Sequence, residues 1–382
     1  MRMLLVTKAG SPNVLLGGAT WPPGTRRFAA AGSAYAWGDL SLTRPRGPET
    51  RLHPDSYIVD RALPLPERAL LKHIRQRLGK RSRAVISGVG DDCAVLGVPP
   101  GHNALVTTDF SLEGIHFRRE WHPPESVGHR CLARGLSDIA AMGGDPVAAF
   151  LSLAVPARLP QSWVDQFMQG LLKLAARAGV VLAGGDTAES PAGVLADIVV
   201  LGWAPRGKAI LRSGAHPGDR IYVTGELGGS SATLNLLFKA KKRLAPKDYP
   251  PHFFPMPRLE VGRVLSRDRL ASSMIDISDG LSTDLMHICK ESGVGAEVNK
   301  EAIPVARNGS PGRRVGFPFA LHGGEDYELL FTAPAHKCIP ARIGGIPITE
   351  IGGITRGKKI FIRSADGSLA ELSSRGWEHF RN

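Results

Sequence analysis

From Glu67 onward, short apolar runs alternate with amphipathic stretches of helical period, and Gly-, Ser- or Thr-flanked carboxylates punctuate the apolar runs. That alternation restricts the fold more than any other feature of the chain. In ERALLKHIRQRL the apolar residues Leu70, Leu71, Ile74 and Leu78 recur at helical spacing after Pro66. AVISGVGDDCAVLGV and NALVTTDF read as strands, each ending on carboxylates. Residues 124–143 read as a helix carrying Asp138, FLSLAVP as a buried strand, and QSWVDQFMQGLLKLAARAG as an amphipathic helix leading into the strand VVLAGGDT. ADIVVLGWAPR and DRIYVTGELG follow as strands. Strands alternating with helices, with polar residues at strand ends, imply an α/β (α+β) enzyme.

A chain of 382 residues exceeds what one core usually supports, so two domains are expected, over 63–210 and 211–382. The second begins near 212–219. It carries helices over about 229–239 and 258–265, the strand ASSMIDISDG running into a further helix, and the strand-like ALHGGEDYELLFTAP. Each half repeats a strand, a Gly-flanked carboxylate and a following helix. Residues 1–62 stand apart. In the first fifty, six basic residues stand against Asp39 and Glu49, and the segment reads as a poorly ordered extension or as the product of a start site placed too far upstream. Their TRRFAAAGSAYA segment superficially resembles a twin-arginine signal, but its apolar region is too weak.

Composition excludes several classes. With 43% hydrophobic and 22% charged residues the chain is an ordinary globular one, and no apolar run approaches the ~20 residues that span a bilayer. The net charge of +13 invites a nucleic-acid partner, yet the positives are scattered and no zinc-finger spacing or aromatic–basic stripe accompanies them. A basic surface equally suits anionic substrates. Cys93, Cys131, Cys289 and Cys338 form no CxxC pair, which argues against a disulfide framework or zinc site and for a reducing cytoplasm. Cys93 reads as a small core residue.

Taken singly, the acidic motifs are ordinary. The GDD at Asp91 and Asp92 suits a turn. TTD at Thr107–Asp109 suits a strand end, Asp138 a half-buried helix position, and Asp186 after Gly184 and Gly185 a helix N-cap with Thr187 opening the helix. Taken together they point to divalent cations held against a polyphosphate. Magnesium takes hard oxygen ligands and uses one or two carboxylates per ion, so several ions require carboxylates from several elements. In IDISDGLSTDL, Asp276 and Asp279 suit metal and Ser278 suits phosphate, Gly280 permits a sharp turn, and Asp284 reads as a cap or surface residue. The glycine-rich VTGELGGSSATL suits a phosphate cradle, though it is neither a Walker A nor a dinucleotide fingerprint. Arg212 is a candidate phosphate clamp. Glu325 and Asp326 follow two glycines before an apolar strand and suit a turn or ligand recognition, and Trp377 suits core packing or an aromatic lid.

In order along the chain, GVGDDCAVL, TTDFSLEGIHF, LSDIAAMGGDP, AGGDT, LRSGAHPGD, IDISDGLSTDL, GGEDYELLFT and GWEHF resemble the motif series of thiamine-monophosphate kinases, in the aminoimidazole-ribonucleotide-synthetase-like superfamily. The resemblance covers about residues 64–382. It implies ATP-dependent phosphorylation of thiamine monophosphate to thiamine diphosphate. It further implies an N-terminal α/β domain whose sheet pairs with that of a second subunit in a homodimer, a C-terminal α/β domain, and a site in the cleft between them. By the same resemblance, Asp92, Thr107, Thr108, Asp109, Asp138, Asp186, Asp276 and Asp279 match magnesium-binding positions, with Asp92, Asp138 and Asp279 the catalytic ones. Gly185, Asp186, Arg212 and Ser278 match ATP-binding positions, and His116, Glu325 and Trp377 match positions that hold thiamine monophosphate. Gly135 stands where Asn is frequent, Gly229 where Asp is frequent, and AESP after GGDT is also variant.

The acceptor is a phosphate monoester with a second pKa of about 6. It needs no strong base, and direct in-line transfer without a phosphoenzyme is expected. The competing readings are another ATP-dependent enzyme of the superfamily, such as an aminoimidazole ribonucleotide or selenophosphate synthetase, and a non-catalytic nucleotide-binding protein. No cysteine is placed like a selenophosphate synthetase nucleophile.

Overall fold

The computed structural model describes residues 73–74, 76–77, 84–87, 94–240 and 243–376. Residues 1–62, the GDD motif with Asp92 and Cys93, and Trp377 lie outside the described residues.

The first half builds a four-stranded sheet from β1 (His102–Leu112), β2 (Asp145–Val155), β3 (Val181–Glu189) and β4 (Leu195–Pro205), in the order β1-β4-β2-β3. β4 runs antiparallel to both β1 and β2, while β2 and β3 are parallel. A parallel pair requires a crossover, and the amphipathic α2 (Gln161–Ala178) supplies it, ending at the left-handed Gly179. α1 (Pro124–Ala141) packs with α2 on one face of the sheet, where Leu132, Leu136, Phe167, Ile198 and Val200 form the core. Strand side chains alternate between faces. On β1, Thr107, Asp109 and Ser111 therefore look toward α1, while Val106, Thr108 and Phe110 are exposed on the opposite face.

The second half builds a larger, mainly antiparallel sheet. Its strands are β5 (Arg220–Thr224), β6 (Ser273–Asp276), β7 (Gly295–Asn299), β8 (Leu329–Ala333), β9 (Ile346–Thr355), β10 (Ile360–Arg363) and β11 (Leu369–Glu371). Their order is β11-β10-β7-β9-β5-β8-β6, with Arg342–Ile343 pairing β9 off that path. α3 (Gly229–Ala240), α4 (Leu259–Arg267), α5 (Leu281–Ser292) and α6 (Phe317–His322) pack around it. Ile221, Val223, Ile275, Leu285, Ile288 and Leu330 are at the centre of its core.

α1 joins the two halves. Its early turns belong to the first core, whereas Ala140 and Ala141 belong to a cluster with Val261, Leu265, Met274 and Phe331 of the second. Burial on several sides demands small residues at the crossings. A Cβ on Gly128 would collide with the Phe167 carbonyl, on Gly170 with the Glu125 carbonyl, and on Gly262 of α4 with the Ala140 carbonyl. Gly135 has the same reason to be glycine: a Cβ there would lie 2.6 Å from Val200 Cγ2. The departure from Asn at that position is thus a matter of helix–sheet packing.

Three sequence expectations are corrected. Two strands run on past their carboxylates: Asp109 lies inside β1 opposite Ile198, and Asp186 lies inside β3 opposite Ser152. Thr187 consequently continues a strand and opens no helix. ALHGGEDYELLFTAP is a strand only over Leu329–Ala333; it begins in α6 and passes through an irregular segment in which Glu325 (φ 66°) and Tyr327 (φ 52°) are left-handed. In AVISGVGDDCAVLGV, the described parts are the short antiparallel strands Val85–Ser87 and Val95–Leu96.

Candidate functional site

One side of α1 carries Arg130, Arg134 and Asp138 at successive i, i+4 positions, so the three side chains stack along the helix. Arg134 and Asp138 border a cavity of about 530 Å³ whose lining also includes Asp109, Asp276, Ser278, Asp279 and Glu325. His116, Tyr327 and Arg375 line it as well. Carboxylates from both halves of the chain thus converge on one space.

Two adjacent residues of α1 produce the convergence. Thr107 Oγ1 of β1 donates to Asp138 Oδ2, and Ser137 Oγ donates to Asp276 Oδ2 of β6 at 2.7 Å. Beyond Asp276 the chain turns through Ser278, Asp279 and Gly280 into α5. Gly280 has φ 109°, and a Cβ on it would meet the His322 backbone at 2.7 Å, so glycine is required. Asp284 closes the turn: its Oδ2 accepts from Asp279 N at 3.2 Å and Gly280 N at 3.0 Å. Its cap reading therefore holds, although it is buried and not a surface residue. Asp279, Asp284 and His287 also place ligand atoms within 4.8 Å of one another, and Oδ2 of Asp284 is engaged by these amides.

The acidic group is electrostatically stressed. Burial raises the Asp276 carboxyl to about 7, with the charge of Asp138 adding to the effect. Burial likewise raises Asp109 to about 6 against the opposing pull of Arg134. Asp138 is raised by burial despite its bond from Thr107 and the charge of Arg212. Hard oxygen ligands whose ionisation is disfavoured by burial and by one another suit a divalent cation, which supplies the missing positive charge. Arg212, although exposed, lies close enough for its charge to act on Asp138 and Asp276, which puts it at the margin of this group.

Glu325 occupies the other side. Its carboxylate accepts from Arg130 Nη2 at 2.7 Å and from Arg134 Nη2 at 2.5 Å. Burial alone would raise its pKa, but the two guanidiniums overcome that and hold it well below the usual carboxylate range. The left-handed backbone here is strained for residues with a Cβ. Two hydrogen bonds offset the strain, from Glu325 N to Ser278 O at 2.8 Å and from Tyr327 N to Ile277 O at 3.0 Å. The segment is thereby fastened to the turn that carries Ser278 and Asp279. Behind it, Arg130 donates to His252 O at 2.6 Å, and His252 hydrogen-bonds His122 through their Nε2 atoms at 3.0 Å. Burial, then the charge of Arg130, lowers His122 to about 4, so this pair is neutral. His116 accepts from Leu112 N through Nδ1 at 3.0 Å, which fixes its ring at the cavity wall.

Not every expected residue arrives. Gly185 is exposed on β3, three strands from β1; at ~4.8 Å per strand, this lies roughly 14 Å away. Asp186 shares a row with Ser152, Asp197 and Phe110 on the helix-free face, and its Oδ1 accepts from Thr187 N at 2.8 Å. Thr108 is on that face as well, donating to Asp197 Oδ1 at 2.8 Å. Asp186 and Thr108 are thus separated by the sheet from Asp109 and Asp138. The glycine-rich loop before α3 is no free phosphate cradle either, because Asp326 accepts from Gly228 N at 2.6 Å and Ser230 N at 3.3 Å. Sequence reasoning missed Arg130 and Arg134. Their i, i+4, i+8 register with Asp138 was the available signal.

Comparison with known proteins bears on the family and the fold. The AIR synthase related protein N-terminal domain matches residues 90–204, and the corresponding C-terminal domain matches residues 216–363. The thiamine-monophosphate kinase of Escherichia coli K12 is 37% identical over 305 residues, which cover 77% of this chain and 91% of that protein. That of Bacillus subtilis 168 is 34% identical over 307 residues, covering 77% and 93%. Among solved structures, the thiamine-monophosphate kinase of Stenotrophomonas maltophilia K279a superposes with a TM-score of 0.67 at 31% identity, covering 78% of this chain and 95% of that one. The complex of AaThiL with AMPPCP and TMP gives 0.65 at 31%, covering 82% and 95%. The hydrogenase maturation protein HypE, at 19% identity and a TM-score of 0.65, shares the fold.

The stressed carboxylates set a pH dependence. With folded pKa values of about 7 and about 6 against a usual 3.8, Asp276 and Asp109 favour the cation-free fold at low pH, and that contribution is lost as pH rises through 6–7. A divalent cation bound to the ionised carboxylates would offset that loss. The rise in melting temperature on adding Mg2+ is therefore expected to be larger at pH 8 than at pH 5.5. Asp276→Asn should raise the melting temperature of the cation-free protein at pH 8 and remove most of the Mg2+ response, both measured by scanning calorimetry.

Proposed function

The chain belongs to the thiamine-monophosphate kinase family, and we infer that it transfers the γ-phosphoryl group of ATP to thiamine monophosphate, giving thiamine diphosphate and ADP. The observation that carries this reading is the convergence of Asp109 and Asp138 with Asp276 and Asp279 on one cavity that Glu325 and Arg134 border on another side. We assign the four aspartates to Mg2+, joined by Asp92 of the GDD motif, with Thr107 orienting Asp138. When bound, Mg2+ neutralises charge on the phosphates of ATP and on the group in transfer. Ser278 and Arg212 are assigned to the nucleotide phosphates, and His116, Glu325 and Trp377 to thiamine monophosphate. The acceptor phosphate is largely ionised at neutral pH, since its second pKa is about 6. No general base is needed, and the residues of the cavity act by binding and alignment. Transfer is direct and in line, with no phosphoenzyme.

We further propose that the domains divide near residue 210 and that two copies pair through the helix-free face of the first sheet. Val106 and Phe110 are 65% and 53% exposed on that face, a poor arrangement for large apolar side chains in a monomer. Thr108 and Asp186 are on the same face, and Asp186 and Gly185 retain their assignment to cation and nucleotide in the paired assembly. The described residues contain no helix long and apolar enough to cross a membrane, and Cys131 and Cys289 are free and buried. A cytoplasmic location is in keeping with these features.

Coupled ADP release in the presence of Mg2+ tests the activity: turnover is expected with thiamine monophosphate and not with thiamine. Asp138→Asn should lower kcat by about a hundredfold or more while leaving the far-UV circular dichroism unchanged. Wild-type-like turnover in that variant contradicts the cation assignment. Sedimentation velocity tests the pairing. Two copies are expected for the native chain and one for Phe110→Asp, and a native monomer contradicts it.

A further inference from the structure

Arg134 stands where the two parts of the cavity meet. Its Nη2 is hydrogen-bonded to Glu325 Oε1, and its Nη1 lies 3.7 Å from Asp109 Oδ1. Asp109 is in turn close enough to Asp138 for their charges to interact, and Asp138 is bonded to Thr107. Glu325, Arg134, Asp109 and Asp138 therefore succeed one another along the wall, from the side assigned to the acceptor to the side assigned to the cation.

A guanidinium carries five N–H donors. Among the described residues, Arg134 uses one of them in a hydrogen bond, to Glu325, and the 3.7 Å approach to Asp109 is beyond hydrogen-bond reach. Its Nε is buried and has no acceptor among the described residues, in a side chain only 8% exposed. Buried donors are normally satisfied, so an arginine with this many to spare beside a cavity is waiting for an anion. Arg130, one turn earlier, makes the contrast. It donates to Glu325, to His252 O and to His116 O, and it does not line the cavity.

We propose that Arg134 binds the phosphate of the acceptor and is the residue that distinguishes thiamine monophosphate from thiamine, with Glu325 fixing the guanidinium from the opposite edge. The inference rests on the functional reading above. Of the two charged parts of that acceptor, the thiazolium is cationic and is repelled by a guanidinium; the phosphate alone complements it. The phosphate must also reach the cation-side carboxylates to receive the γ-phosphoryl group, and Arg134 is at that junction. Its fork can hold two phosphate oxygens and so align the attacking one.

Equilibrium titrations of thiamine monophosphate and of thiamine, without nucleotide or Mg2+, test the inference alongside steady-state KM values for both substrates. Arg134→Met is expected to weaken thiamine monophosphate binding and raise its KM by about tenfold or more, as loss of a charge-assisted hydrogen bond does. Thiamine affinity and the KM for ATP should stay unchanged within error. Arg134→Lys, which keeps the charge and loses the fork, should fall between the two. Equal losses for thiamine and thiamine monophosphate, parallel rises in both KM values, or no change would each overturn the proposal. If Arg134→Met does not fold by circular dichroism, Arg134→Lys decides alone. Reduced discrimination between the two ligands supports the proposal, and undiminished discrimination overturns it. The functional reading fails separately, if the wild-type protein releases no ADP with thiamine monophosphate.

Discussion

The site depends on one helix that is bonded to both sheets through consecutive residues. Ser137 holds Asp276 of the second sheet, and Asp138 is held by Thr107 of the first. Neither bond is strong by itself, since a buried hydrogen bond contributes about 1 kcal/mol net. Their value is positional. They fix two carboxylates from distant parts of the chain beside each other, where repulsion would otherwise drive them apart. The glycines of α1, α2 and α4 serve the same end, by letting three helices approach closely enough for α1 to reach both halves.

Charge is distributed along α1 so that opposite ends of its polar side do opposite things. Asp138 joins Asp109 and Asp276, carboxyls that burial and neighbouring negative charge make reluctant to ionise, and Asp279 lines the same cavity. One and two turns earlier, Arg134 and Arg130 face Glu325 and keep it charged despite its burial. An acidic region suited to cations thus adjoins a region in which two guanidiniums face one carboxylate. Such an arrangement suits two anionic substrates meeting end to end, one neutralised by metal and the other by arginine. The left-handed Glu325 and Tyr327 fit this picture, because the strain is confined to the segment fastened onto the Ser278 turn.

Much of this was legible beforehand. The helical periods of α1 and α2 and the apolar runs of β2, β4 and β8 stood out, and the acidic motifs in order carried the family resemblance. Where strands end was not legible, because a Gly-Asp or Thr-Asp pair interrupts apolarity without interrupting extended backbone; Asp109 and Asp186 both continue a strand. Which face a carboxylate takes was also hidden. β2 and β3 shift register between Ala149 and Phe150, and residues beyond an irregularity exchange faces in a way no motif reveals. Asp326 looked like a ligand-reading residue beside Glu325, yet two amides at the start of α3 claim it. The arginines escaped notice because a basic chain makes any single arginine unremarkable, and only their spacing from Asp138 sets these two apart.

The central claim is that Asp109, Asp138, Asp276 and Asp279 form one cation-binding wall drawn from both halves of the chain. Anomalous diffraction from crystals grown with Mn2+ and a non-hydrolysable ATP analogue tests it most directly. The account predicts anomalous peaks between β1, α1 and the Ser278–Gly280 turn, within coordination distance of carboxylates from both sheets. Peaks confined to one sheet, or none at these aspartates while nucleotide is bound, would contradict it.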